Sequence, residues 1–146
     1  MINGEELAIL KKSIALMQDF KENIHSINSG HEFVTIHNRN IETVKKIAYE
    51  RKSQYLLKRI EEYPKITVSE INEYIKIKKN EISLLAFVMT VLFGFVMALY
   101  FTLFERFLRT GKISRKQIKI KIIKIIEINK YILEVIENPY MEKLRS

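Results

Sequence analysis

The chain has 146 residues, a net charge of +8 and no cysteine, so disulfides and thiolate metal sites are excluded. One domain's worth of length is available, but the mean hydropathy of −0.07 averages one very apolar stretch with two highly charged flanks. The opening MINGEELAIL puts acids where a secretory signal carries positive charge, which argues against a cleaved leader.

In chain order, Leu7, Leu10, Ile14, Met17, Ile24 and Ile27 fall on heptad spacing interrupted by Lys21, predicting an amphipathic helix over 5–27. Asn28-Ser29-Gly30 reads as a turn. HEFVTIH alternates β-rich residues, predicting one short strand near 31–37 before Asn38-Arg39-Asn40 turns the chain again. From Ile41, the apolar positions Val44, Ile47, Ala48, Tyr55, Leu56 and Ile60 predict a second helix, ended by Pro64. Thr67-x-x-Glu70 has the form of a capping box. A third helix from there, with Val68, Ile71 and Ile75 on one face, meets no Gly or Pro and is expected to run on as a rod into the apolar stretch.

That stretch, Ile82 to Phe104, contains no charged residue. At roughly 1.5 Å per residue it is just long enough to cross a bilayer core of about 30 Å as one helix. Gly111 is expected to end or bend the helix. Beyond it, 116–122 alternates Lys and Ile like a strand, but Ile118, Ile122, Ile125, Ile132 and Val135 make a helical face opposite Lys124, Glu127, Glu134 and Glu137. Asn138-Pro139 should end that helix and leave the last residues frayed. The expected fold is thus mostly all-α, with a single-pass transmembrane helix (82–104), a small helical N-terminal region (1–81) and a basic juxtamembrane segment leading into an amphipathic helix (105–146).

Ala86, Thr90, Gly94, Ala98 and Thr102 recur at every fourth position of the apolar stretch, a spacing that lets another helix approach closely. The expected partners are therefore other transmembrane helices, in a homo- or hetero-oligomer. Residues 1–81 hold 14 basic against 12 acidic side chains, and residues 105–146 hold 11 against 5. Excess positive charge after Phe104 predicts a cytoplasmic C-terminus in a bacterial cytoplasmic membrane or an organellar inner membrane. Arg106, Arg109, Lys112, Arg115 and Lys116 are the candidate contacts to anionic lipid headgroups. The basic charge adjoins the apolar stretch and has no interleaved aromatic stacking pattern, which argues against nucleic acid.

No catalytic constellation is visible: Asp19 is the only aspartate, the four glycines form no phosphate loop, and no cofactor or metal is expected. His25, His31 and His37 lack the convergent ligands that a closed metal site needs. The reading is a non-catalytic accessory or scaffold subunit of a membrane complex. The other readings are a transmembrane signal transmitter and a membrane-perturbing effector. In layout, residues 41–116, with a helical segment, a span holding Gly94 and a basic end, resemble the C-terminal half of polysaccharide co-polymerases, which implies regulation of surface-glycan chain length. That family has a further N-terminal span and a proline-rich approach to its last one, where this sequence has Pro64 alone.

Overall fold

The computed structural model describes the backbone of residues 3–91 and 97–145, and their side chains except those of 82, 86 and 89–114. The described chain is helical: α1 (Gly4–Phe20), a 3₁₀ turn (Ile24–Ser26), α2 (Gly30–Arg51), α3 (Gln54–Glu61), α4 (Val68–Val91), α5 (Met97–Glu137) and α6 (Tyr140–Arg145). There is no strand among the described residues.

Helix α1 buries the heptad stripe read from the sequence, with Leu10, Ile14 and Met17 at the core and Lys21 as the C-cap. The helix stops there, but the stripe continues into the core through Ile24 and Ile27 on the 3₁₀ turn and the residue after it. The strand expected near 31–37 is instead the first turns of α2. Ser29 caps that helix by accepting the Glu32 N–H at 3.1 Å, while the Glu32 carboxylate accepts the Asn28 N–H at 2.8 Å. These two bonds satisfy donors that a helix start otherwise leaves unpaired, and they outweigh the β propensity of Val34, Thr35 and Ile36. The second helix expected from Ile41 is two: α2 ends with Lys52 in the left-handed conformation (φ 53°), and Ser53 caps α3 by accepting the Leu56 N–H at 3.2 Å. Pro64 lies just beyond the end of α3, as expected.

The capping box before α4 forms as read. The Thr67 N–H donates to Glu70 at 2.8 Å and the Glu70 N–H donates back to the Thr67 hydroxyl at 3.2 Å. Helix α4 then runs without interruption to Val91. Helix α5 is likewise continuous through Gly111, which does not end it, and it stops at Glu137, before Asn138-Pro139. The C-terminal residues form α6 where fraying was expected. Ser53 donates to Glu142 at 2.6 Å, and Arg145 pairs with Glu134 at 3.0 Å.

The core decides how the two flanks relate. One cluster joins Met17, Phe20, Phe33, Ile71 and Tyr74 with Ile118, Ile122 and Ile125; a second joins Leu10, Ile14, Val44, Ile47 and Leu56 with Ile128, Ile132 and Val135. Each fully buried Ile, Leu or Phe contributes roughly 1.5–3 kcal/mol by its removal from water. The Phe20 ring lies 5.3 Å from Phe33 and 6.0 Å from Tyr74, both tilted, which adds aromatic pairing to that burial. Neither 1–81 nor 105–146 has enough apolar surface for a core alone; together they make one, with α5 filling the groove left by α1 to α4. Described residues from both sides of 82–104 thus belong to the same two clusters. Lys11 to Glu137 at 2.5 Å and Arg51 to the Ile136 carbonyl at 3.0 Å tie α1 and the end of α2 to the last turn of α5.

No helix among the described residues is long and apolar enough to cross a membrane, and the single-pass helix over 82–104 finds no support. Residues 92–96, in the middle of that stretch, lie outside the described residues. Helices α4 and α5 pair antiparallel, with Glu81 against Arg115 and Glu70 against Lys121, so the chain reverses direction between residues 81 and 115. Two flanks that share a core cannot sit on opposite sides of a bilayer.

Candidate functional site: the base of the α4–α5 hairpin

Two rungs hold the hairpin. Glu81 forms an ion pair with Arg115, both side chains half-buried. One level deeper, Lys121 Nζ lies 2.5 Å from Glu70 Oε1. The Lys121 ammonium, helped by the Thr67 N–H, holds the Glu70 carboxyl below the usual carboxylate range. Between the rungs, Ile71, Tyr74 and Ile75 of α4 and Ile118 of α5 are buried in the first core cluster, with Ile122 just past the deeper rung. The Lys78 ammonium crosses the Tyr74 ring at 5.2 Å and donates to the Lys21 carbonyl at 2.7 Å, bringing the end of α1 to the same place.

Past Glu81 the surroundings of α4 change. Leu85 is 69% exposed and Phe87 46%, with Val88 beside them also exposed. Leu85 and Val88, three residues apart, lie on neighbouring directions of α4, and exposed apolar side chains so placed are the start of a patch that soluble monomers rarely leave open to water. On α5 the stretch continues in sequence through Met97 to Phe104, helical throughout.

Of the small-residue stripe, Gly94 lies outside the described residues. Ala86, Thr90, Ala98 and Thr102 lie on α4 and α5 with side chains that are not described. The same holds for Arg106, Arg109 and Lys112 among the headgroup candidates. Arg115 is engaged by Glu81, while Lys116 is exposed. Reasoning from sequence placed the cations after the apolar stretch only. The reversal brings Lys76 and Lys79, exposed on α4, to the level of Lys116 and Lys119, exposed on α5. An acid immediately before the uncharged run and a base shortly after it, Glu81 and Arg115, were the signal for that pairing.

The three histidines separate. His25 and His31 are exposed, and His37 is buried. On a strand His31 and His37 would share a face, but six residues along a helix turn them about 240° apart. Among the described residues no three His, Cys, Asp or Glu side chains come together as a metal site would require.

A polar layer that sequence reading missed lies deeper in the bundle, between the two core clusters. The Ser13 hydroxyl donates to Asn40 Oδ1 at 2.5 Å, the Asn40 amide approaches the Met17 sulfur at 3.5 Å, and the Tyr63 hydroxyl donates to Asn129. His37 meets the Tyr63 ring edge to face at 4.8 Å, and its Nδ1 has no hydrogen-bond partner. Burial pushes the His37 imidazole down to about 4 and pushes the Tyr63 phenol up, so both stay neutral. The available signal was polar residues set into otherwise apolar stripes, Ser13 beside Ile14 and Asn129 beside Ile128. Tyr63 and Asn129 are far apart in sequence, and nothing local announces their contact.

The chain matches no protein-family model, no curated protein and no solved structure.

Proposed function

We propose that this chain is a non-catalytic accessory or scaffold protein, held on one face of a bilayer by the apolar stretch 82–104 and presenting its helical bundle on that same face. The observation that carries this reading is the junction at Glu81 and Arg115: on one side, residues from both flanks share a core; on the other, Leu85 and Val88 are exposed. From Glu81 to Val91 a helix advances about 15 Å, half the thickness of a bilayer core, which suits entry into one leaflet. Charge supports the same arrangement. With both flanks on one side, Lys76, Lys78 and Lys79 join Arg106, Arg109 and Lys112 on the cytoplasmic side, and no segment with 14 basic residues has to be translocated.

Cysteine labelling tests this, since the chain supplies a cysteine-free background. Gln18→Cys on α1 and Lys130→Cys on α5 replace exposed side chains. In intact cells both should resist a membrane-impermeant thiol reagent, and in inverted vesicles both should react. Labelling of one site in cells and the other in inverted vesicles would mean a crossing between them and would sink the one-sided reading. Loss of both from the membrane fraction would sink the membrane reading itself.

A further inference from the structure

We infer that the base of the hairpin is an anionic-lipid site built from two distant chain segments, Lys76 and Lys79 of α4 with Lys116 and Lys119 of α5. The inference rests on the membrane reading above and adds the chemistry of the surface that the hairpin enters. All four side chains are exposed, and none is in an ion pair among the described residues. Two neighbouring bases are already used: Arg115 by Glu81, and Lys78 by the Lys21 carbonyl and the Tyr74 ring.

Their level along the hairpin is set by the packing. Ile75 and Ile118, each adjacent to one of these lysines, are buried in the same cluster, and Glu81 against Arg115 marks where apolar exposure begins. Lys79 and Lys116 stand within one helical turn of that mark, and Lys76 and Lys119 within two, at 1.5 Å per residue. A lysine stem reaches several ångströms further and lays its methylenes along apolar surface while its ammonium stays polar. With Leu85 and Val88 in the acyl region, the four ammoniums would fall at the depth of phosphate headgroups. Acids are present at this end, Glu22 beside Lys21 and Glu73 one turn deeper than Lys76, and the exposed bases outnumber them. A lone headgroup is a weak ligand; a bilayer carrying many of them at one depth matches a ring of point charges on two helices.

Each basic side chain held near an anionic surface is worth roughly fivefold in partitioning. Full-length protein, dispersed in mild detergent and then diluted into preformed vesicles, should float with vesicles of phosphatidylcholine plus about one-third phosphatidylglycerol far better than with phosphatidylcholine alone, and the difference should shrink as salt rises. The combined variant Lys76→Gln, Lys79→Gln, Lys116→Gln and Lys119→Gln should lose roughly six hundredfold of its anionic-vesicle binding and keep its neutral-vesicle binding. Its helical circular dichroism and melting should match the unmodified chain, because the replaced groups are exposed. Equal binding to both vesicle types, unaffected by the four changes, would overturn the headgroup site and leave apolar anchoring standing. Binding to neither would overturn both. Tighter retention on a random-sequence DNA duplex than on anionic vesicles would reassign the lysines to nucleic acid and overturn the lipid site.

Discussion

Gly30→Ala should destabilise the bundle by about 3 kcal/mol, the upper end of what overpacking costs, although alanine is the better helix former. Gly30 is the first residue of α2, and a methyl group there would collide with the Val68 carbonyl oxygen and meet the Asn72 side chain at 2.9 Å. The first of these is backbone and cannot rotate away. Relief requires separating the start of α2 from the start of α4, which would also stretch the 2.7 Å hydrogen bond from the Gly30 N–H to Asn72 Oδ1. Against this stands a propensity gain of at most about 1 kcal/mol, so the clash decides the sign. In a chain of this length the loss corresponds to a melting temperature lower by roughly 10 °C.

Gly4→Ala is the matched control. Gly4 is the first residue of α1, and a methyl group there meets nothing within 4 Å. It should be neutral or slightly stabilising. Thermal melts of the three proteins in one detergent would distinguish the outcomes; a Gly30→Ala melt that overlays the Gly4→Ala melt would show that α2 and α4 do not approach this closely. The position bears on the hairpin, because the close contact at Val68 sets where α4 leaves the bundle, and α4 carries Glu81 and Leu85 beyond it.

Much of the fold was legible because amphipathic spacing records which face a helix buries. Leu10, Ile14 and Met17, Val44, Ile47 and Ala48, and Ile118, Ile122 and Ile125 were all read as core faces, and all are buried. The Thr67–Glu70 box was readable because both partners lie within one turn. An equivalent pair, Ser29 and Glu32, stands in the sequence just before the β-branched run whose alternation predicts a strand near 31–37. What could not be read was the partner of each face. Helical periodicity says that Ile122 is buried; it does not say that Ile71 and Phe33 cover it. A run of 23 uncharged residues has the same hydropathy whether it crosses a bilayer once or turns back within it. The candidate site was half legible for the same reason: Lys116 is visible as a cation after the apolar run, but its association with Lys76 and Lys79 exists only once the chain reverses.

The buried polar layer makes the stability of the bundle sensitive to acid, and His37 is the group responsible. Its imidazole has an unfolded value near 6.5, and burial depresses it to about 4 in the bundle. The folded state therefore disfavours the proton that the unfolded chain accepts. Stability contributed by keeping His37 neutral is complete above about pH 6.5 and is lost progressively as pH falls toward 4, where the total approaches about 3 kcal/mol. Glu70 acts in a separate window. Its carboxyl is held below the ordinary carboxylate value of 4.5, chiefly by Lys121, so its contribution persists above that pH and is lost only beneath it. Between pH 6.5 and 4.5 the slope thus belongs mainly to His37. His37→Phe removes the titrating group and keeps an aromatic ring between Phe33 and Tyr63, at ring distances of 6.5 and 4.8 Å in the unmodified chain. Urea midpoints measured at pH 7 and pH 5 should fall for the unmodified chain and stay nearly level for the variant. Because Nδ1 has no hydrogen-bond partner, the substitution leaves no donor or acceptor stranded there, and it should not destabilise the protein at pH 7. A variant that keeps the full acid sensitivity would place the responsible proton elsewhere, on a group whose burial is not evident among the described residues.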